Sequence, residues 1–515
     1  MGKFEDYNDL SADPVAADPP YTPGDDFTTR EFFQSRLNRG VNIGSWFVLE
    51  KWITPSMFPD DGDDSRTTEL DSVQIAVDHY GGDIEAVRGR FEEHWREWIT
   101  DDDWSWLKEV GVTSIRVPIG YWIVDNAAYT EGTPFEEFAE VYENAWDIFK
   151  EQVLDKASDY AIGVLVDLHG LPGNANTDEL WSSDDHKLKT INVLDFLADD
   201  LSGYDHVVGL QICNNAQYEN QDEEVQKEFY FKAINAIRDV NQNIPIVISD
   251  GSDLHRWVDI IRDTEAQLSE EAGENVSLGV LVDTHPFRCY SDEDKDRSPR
   301  EIIESVNDTI PDTDKQVDII VGEFTTVLSS ESWDRNGDED HDDVVRDFGN
   351  AQTAHFSDRA AGFYYWTYKF GYGGAGDWCF REVMEKGAVN SAFGAAADRF
   401  PGDREPDSDY YENEFNERFN ASFEEHVNYW TEQDPDRDFE HWRYEDGWRQ
   451  GWSDAQAFDG FWHSELGRKA AFKKARYDEY IKEKGEGDDV MFAWRQAYDR
   501  GLQAFLDSRW KAFHE

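Results

Sequence analysis

The feature that most constrains this chain is a succession of eight short apolar runs, each separated from the next by a stretch long enough for a helix. They are R-G-V-N-I-G-S-W (39–46), S-I-R-V-P-I-G (114–120), A-I-G-V-L-V-D-L-H (161–169) and V-V-G-L-Q-I-C-N-N (207–215). I-P-I-V-I-S-D-G (244–251), L-G-V-L-V-D-T-H (278–285), V-D-I-I-V-G-E-F (317–324) and A-A-G-F-Y-Y-W-T-Y (360–368) complete the set. Runs this short and this β-branched read as strands buried on both faces. Strand–helix alternation carried to eight predicts an α/β chain folded as a (β/α)8 TIM barrel rather than an open sheet.

Around that core the chain divides into three parts. Residues 1–36 are polar and Pro-rich and read as a loosely attached lead-in, and residues 37–395 hold the barrel. Residues 70–110 read as helical, with Trp95, Trp98, Trp104 and Leu107 as apolar positions. Residues 396–515 form a helical, acidic, Trp-rich C-terminal extension without strand-like runs. W-R-Q-G-W at Trp448 and W-R-Q-A-Y at Trp494 suggest a weak repeat there. Two copies are too few for a solenoid. The aromatics of the extension read as core that pins it to the barrel, in preference to a carbohydrate-stacking surface.

Charge excludes several functions. Lys and Arg number 48 against 111 Asp and Glu, a formal net charge of -63, so phosphate backbones would be repelled and nucleic-acid binding is excluded. The acid is dispersed rather than gathered in one tail. It reads as surface adaptation to high salt, not as a docking face for a basic partner. With 39% hydrophobic and 14% aromatic residues there is still ample material for a core. The three cysteines (Cys213, Cys289, Cys379) form no C-x-x-C, so neither a disulfide framework nor a zinc site is expected. The D-R-N-G-D-E-D run at Asp334 lacks glycine where a calcium-binding EF-hand requires it, and no Gly-rich phosphate loop appears. No metal and no cofactor are therefore expected. No apolar run approaches the roughly 18 residues of a membrane span. The first thirty residues lack the basic start and apolar stretch of a signal peptide, so a cytoplasmic protein is the expectation.

A parallel barrel keeps its chemistry at the C-terminal ends of its strands, and the V-D-I-I-V-G-E-F run ends there on Glu323. Two other runs nearly duplicate each other, G-V-L-V-D-L-H ending at His169 and G-V-L-V-D-T-H ending at His285. Period-two alternation puts the Asp and His of each on one side of its strand. A lone histidine would be a hydrogen-bonded structural residue. Two at equivalent strand ends, with Arg116, Asn214, Asn215 and Glu323 at others, predict a shared cleft.

Five segments sharpen this reading: R-G-V-N-I-G-S-W-F-V-L-E-K-W-I-T-P-S, I-R-V-P-I-G-Y-W, D-L-H-G-L-P-G-N-A-N, V-G-E-F and Y-Y-W-T-Y-K. In that order they resemble glycoside hydrolase family 5, in its exo-β-1,3-glucanase branch, over residues 37–380. The stretch E-H-W-R-Y-E-D-G-W-R-Q-G-W-S-D-A resembles the helical tail of some fungal members without secretion signals. The resemblance implies a retaining glycosidase acting on a β-glucoside or β-glucan, a mechanism that pairs a nucleophilic carboxylate with a general acid/base. It implies Glu323 as nucleophile, held ionised and oriented by Arg116, with His169 and His285 lining the subsite of the cleaved sugar. Asn214 would bond the sugar 2-hydroxyl, Trp366 would floor the subsite, and Glu50 and Asn176 would make polar sugar contacts.

Two positions depart from the family pattern. The family reads N-E-P at the end of the fourth strand, with the Glu as acid/base, where this chain reads Asn214-Asn215-Ala216. The family also has a tyrosine two residues after the sixth-strand histidine, its hydroxyl on the nucleophile, where this chain has Phe287. An amide donates no catalytic proton, and losing a general acid typically costs about 10²–10⁴ in rate. Three functions stay open: a glycosidase on substrates whose leaving group needs little protonation, or with an acid taken from Glu219, Asp222, Glu223 or Glu224; a pseudo-enzyme that binds carbohydrate without cleaving it; and a transglycosidase. Those four acids read chiefly as solvated surface, Glu219 being the first to test.

Overall fold

The computed structural model describes residues 2–22, 24, 26–175, 178–216, 223–311, 316–393, 407–485 and 490–514. Eight parallel strands close into a barrel: β1 (Asn38–Asn42), β2 (Ser114–Gly120), β3 (Gly163–Gly170), β4 (Val207–Gln211), β5 (Ile246–Ser249), β6 (Val280–Thr284), β7 (Asp318–Phe324) and β8 (Gly362–Tyr365). Closure comes from β8 pairing with β1 through Gly362 opposite Asn38 and Tyr365 opposite Val41. All eight apolar runs of the sequence supply these strands. The segment 70–110 resolves into three helices, Glu69–His79, Ile84–Glu97 and Asp101–Glu109. Thr68 with Asp71 and Thr100 with Asp103 form capping boxes on the first and third, which satisfy the leading N–H groups and place acid at the positive helix ends.

Alternation along the strands sorts the side chains into two shells. Ile115, Val117, Ile119, Val164, Val166, Leu168, Ile319 and Val321 face the surrounding helices. Leu165, Val208, Val247, Leu281, Ile320 and Tyr364 fill the lower barrel interior. Two irregularities break the alternation. On β7, Val321 opposes Phe363 but Phe324 opposes Tyr365, so β7 uses one residue more than β8 over this step. On β4, Val207 opposes Val164 and Gly209 opposes Leu165, leaving Val208 as an extra residue. Each bulge re-aims the side chains beyond it on its strand.

The lead-in is not loosely attached. Tyr7 and Tyr21 are buried, Lys232 Nζ donates to the Tyr7 carbonyl, and the helix Thr29–Ser35 buries Phe33 at the base of the barrel. Apolar rings offset its polar composition.

The extension folds as the helices Ser408–Gln433, Trp442–Gly460, Lys469–Lys484 and Phe492–His514 around a second core that includes Trp448, Trp452, Trp494 and Tyr498. The two W-R-Q segments lie on the second and fourth of these helices. A side chain on Gly447 or Gly451 would strike the Trp494 or Tyr498 carbonyl, and one on Gly501 the Trp448 carbonyl. Close backbone approach thus explains these glycines. The extension docks at the amino ends of the strands. Asp318, the first residue of β7, accepts from Ala470 N (2.9 Å) and Ala471 N (3.2 Å), and Gly467 N donates to the Ser35 carbonyl. Its buried tryptophans are core, on the side away from the strand C-termini. The expected boundary at 395–396 falls outside the described residues.

Candidate active site

Arg116 projects from β2 into the centre of the barrel and is 0% exposed. Its Nε donates to Gln211 Oε1 (3.0 Å), Nη1 to Asn42 Oδ1 (2.8 Å) and Glu323 Oε1 (3.1 Å), and Nη2 to Asn214 Oδ1 (2.7 Å). The same Nη2 stands 2.9 Å from Asp167 Oδ2. One guanidinium therefore ties the ends of β1, β2, β3, β4 and β7 together, using the planar fork that no lysine offers.

Glu323 enters this set because of the β7 bulge. Ile320 points into the barrel, so strict alternation would send residue 323 outward with Ile319 and Val321. The extra residue turns it inward. Gly322 makes the turn possible. Its N–H donates to Asp283 Oδ1 (2.6 Å), its carbonyl accepts from Asn42 Nδ2 (2.8 Å), and any Cβ there would collide with the Asp283 carboxylate. The second Glu323 oxygen lies 3.6 Å from His285 Nδ1. Each carboxylate oxygen thus has its own cationic or imidazole neighbour.

The two D-x-H pairs are built alike. His169 Nδ1 donates to Asp167 Oδ2 (2.8 Å), and His285 Nε2 donates to Asp283 Oδ2 (2.9 Å). Burial alone would lower the His285 pKa, but Asp283 and then Glu323 outweigh it and push the imidazole up to about 9. His169 moves the same way, burial being overcome by Asp167. Asp167 itself is held below the usual carboxylate range, with burial opposed by Arg116 and His169. Gln211 Nε2 donates to Asp283 Oδ2 (2.7 Å) and links the pairs through Arg116.

Asn214 has its amide oxygen taken by Arg116, which leaves its NH2 group beside His169 Nε2 (3.4 Å). Asn215 follows it in left-handed backbone (φ 45) and is half-buried. Trp366 lies at the end of β8, its ring stacked toward His169 at 6.4 Å between centroids. The loop behind it is anchored by Asp103, which accepts from Tyr368 Oη and Lys369 Nζ at 2.7 Å each. Glu50 sits on the β1 loop, accepting at Oε2 from Trp52 Nε1 (2.9 Å), and burial raises its pKa to about 7 despite that bond and the nearby His169. Phe287 packs beside His285 and offers no hydroxyl.

The structure therefore brings Glu323, Arg116, His285, His169, Asn214, Asn215, Trp366, Glu50 and Phe287 to one end of the barrel. Asn176, Glu219 and Asp222 lie outside the described residues, and Glu224 is exposed. Sequence reasoning did not single out Asn42, Gln211 or Trp52, and it placed Asp167 and Asp283 beside their histidines without giving them a role. The D-x-H alternation was the available signal for the two aspartates. Among the described residues no group of three or more His, Cys, Asp or Glu could hold a metal ion, and no helix is long and apolar enough to cross a membrane.

Comparison with known proteins agrees with this geometry. The family model for cellulase (glycosyl hydrolase family 5) matches residues 77–370, and that for the glucan 1,3-beta-glucosidase 3 C-terminal domain matches residues 411–508. An uncharacterized glycosyl hydrolase of Saccharomyces cerevisiae is 31% identical over 505 residues, 95% of this chain and 94% of the relative. Glucan 1,3-beta-glucosidase 3 of Schizosaccharomyces pombe is 32% identical over 437 residues, 82% of this chain and 87% of the relative. In fold, the chain resembles a crystal structure of rutinosidase from Aspergillus niger, with a TM-score of 0.52 at 18% identity over 69% of this chain and 99% of the other.

Proposed function

This chain belongs to glycosyl hydrolase family 5, and on that premise we propose that it cleaves β-glucosides by a retaining route in which Glu323 is the nucleophile and Asn215 occupies the acid/base place. The observation that carries the reading is the holding of Glu323: Arg116 at 3.1 Å on one oxygen and His285 at 3.6 Å on the other fix the carboxylate at the strand ends. The inward amide of Asn214 suits a sugar 2-hydroxyl, and Trp366 gives the pyranose an apolar face. Glu50, neutral below about pH 7, can donate to or accept from another sugar hydroxyl.

With an amide at Asn215 the first step has no proton donor there. It proceeds only where the departing oxygen carries negative charge well. Glu323 then holds the sugar as an ester, and water attacks it without a general base. Hydrolysis of the ester becomes the slow step, and laminarin is a poor substrate.

Turnover of 2,4-dinitrophenyl β-glucoside at high salt tests this. The reading expects a burst of phenolate, slow turnover accelerated by azide with formation of β-glucosyl azide, and loss of all three in Glu323→Gln. Asn215→Glu should remove the azide effect and bring laminarin hydrolysis up by about 10²–10⁴. Saturable sugar binding with no Glu323-dependent turnover would make the protein a carbohydrate-binding pseudo-enzyme. Efficient, azide-insensitive laminarin hydrolysis by the unaltered chain would place the acid elsewhere, Glu219 first. Transfer to a second sugar faster than to water would make it a transglycosidase.

A further inference from the structure

The contacts at the strand ends close into a ring. Glu323 Oε1 accepts from Arg116 Nη1 (3.1 Å), Arg116 Nε donates to Gln211 Oε1 (3.0 Å), and Gln211 Nε2 donates to Asp283 Oδ2 (2.7 Å). The same Asp283 oxygen accepts from His285 Nε2 (2.9 Å), and His285 Nδ1 returns to Glu323 Oε2 at 3.6 Å. Every member but one is ionisable. The exception is Gln211, buried on β4. Its place inside the ring comes from the β4 bulge. Val208 fills the barrel interior, so strict alternation would send residue 211 outward, and the extra residue turns it in.

Chemistry fixes how the amide lies. Arg116 only donates, so the Gln211 oxygen faces it and the NH2 group faces Asp283. Both amide hydrogens are used, one on Asp283 and the other on the Cys213 carbonyl (3.3 Å). A carboxylate at this place would be the fourth acting on Arg116, after Asp167, Glu323 and Asp283. It would also face Asp283 across a hydrogen-bond distance, where two carboxylates must share a proton. The amide avoids that conflict. It fills Asp283 Oδ2 alongside His285, while Gly322 N (2.6 Å) fills Oδ1, so the Asp283 carboxylate has one orientation. His285 then has Asp283 on one ring nitrogen and the Glu323 carboxylate facing the other. Only an imidazolium has a hydrogen for both. The charges around it agree: Asp283 on its own strand, Glu323 on β7, Asp167 on β3 and Asp250 beyond β5 favour the cation, while burial and Arg116 on β2 oppose it.

We propose that Gln211 is a positioning residue for breakdown of the glycosyl ester, its amide holding Asp283 so that His285 meets Glu323 as a cation. The inference rests on the reading of Glu323 as nucleophile and Asn215 at the acid/base place. In this step water attacks C1 and the bond from C1 to the Glu323 oxygen breaks. The electron pair returns to the carboxylate, and the water gives a proton to solvent. An imidazolium beside Glu323 stabilises the charge as it returns. It acts on the departing carboxylate, in the step that an amide at 215 leaves without a general base. Without Gln211, Asp283 stands beside an Arg116 N–H that has lost its acceptor. It turns to that N–H, and His285 loses its partner.

Two readouts on Gln211→Leu and Gln211→Glu test this. The first is the protonation of His285, followed by NMR of 13C-labelled histidine and assigned by the signal missing in His285→Gln. In the parent it should titrate at about 9. In Gln211→Leu the midpoint should fall by about one pH unit or more, the scale of a lost carboxylate partner. In Gln211→Glu, where a shared proton preserves the link, it should hold or rise. The second readout is the alkaline fall of kcat on 2,4-dinitrophenyl β-glucoside, which should move with each midpoint while the phenolate burst persists. Lost packing alone would treat the two variants alike, so unshifted midpoints in both, or the same fall in both, would overturn the proposal. A lowered midpoint in Gln211→Glu refutes it even where Gln211→Leu fails to fold, and a held or raised one supports it. Midpoints that move without kcat would refute the role in ester breakdown. Absence of Glu323-dependent turnover in the parent would defeat the underlying reading and this step with it, and the His285 midpoints would then score the hydrogen-bonded ring alone.

Discussion

Replacing Arg116 with Met removes the charge from the barrel centre with little change of volume. The guanidinium is buried and contacts two carboxylates and three amide oxygens. Breaking a buried ion pair by deleting one partner costs about 3–5 kcal/mol, and an amide oxygen left unsatisfied adds about 1–3 kcal/mol. Protonation limits the total, because Asp167 loses the cation that holds its pKa down and can take up a proton. In the parent, Asp167 has a depressed folded pKa, so its stabilising contribution is present above the unfolded value and fades only as pH falls through the folded one. In the variant that contribution is gone at neutral pH. We therefore expect Arg116→Met to lose about 4 kcal/mol at pH 7.5 and markedly less near pH 5. Urea unfolding at both pH values measures the loss. Asp167→Asn in the Arg116→Met background should recover about 1 kcal/mol or more, a coupling read from the double-mutant cycle. A loss under about 1 kcal/mol at pH 7.5, or one independent of pH, would refute the picture of Arg116 as the hub.

Three further outcomes come from other parts of the structure. Gly322→Ala forces a methyl into Asp283 and should cost about 1–3 kcal/mol in thermal stability while cutting aryl-glucoside turnover; unchanged activity would mean that the β7 bulge does not set Glu323. Gly451→Ala should cost a similar amount through the Tyr498 carbonyl and leave aryl-glucoside KM untouched, because the extension lies at the other barrel end; a shifted KM would contradict that placement. His285, with its pKa raised to about 9, stabilises the fold fully below its unfolded value near 6.5 and loses that contribution as pH rises through 9. Melting temperatures of parent and His285→Gln should therefore converge between pH 6.5 and 9, and parallel curves would sink the assignment.

The eight strands were legible because parallel barrel strands must be continuous apolar runs, and each such run in the chain is one. The Asp–His pairs were legible for a related reason: alternation puts residues two apart on the same face, and 167/169 and 283/285 obey it. Where alternation breaks, sequence reading stops. It located Glu323 at a strand end but gave no account of why it faces inward, since the bulge beside Gly322 depends on pairing with β8. Gln211 lies beyond the β4 bulge and was missed. Arg116 was read as one partner of one carboxylate, whereas it holds the ends of five strands. The lead-in was misjudged because composition does not register that Tyr7 and Tyr21 have matching pockets.

The central claim is that Glu323 attacks the anomeric carbon of a bound sugar. Incubation with 2-deoxy-2-fluoro-β-glucosyl fluoride, followed by intact mass and peptide mapping, measures this directly. The account predicts one fluoroglucosyl unit per chain, on the peptide bearing Glu323, and none on Glu323→Gln. No adduct under saturating reagent, or an adduct mapped to another carboxylate, would contradict it.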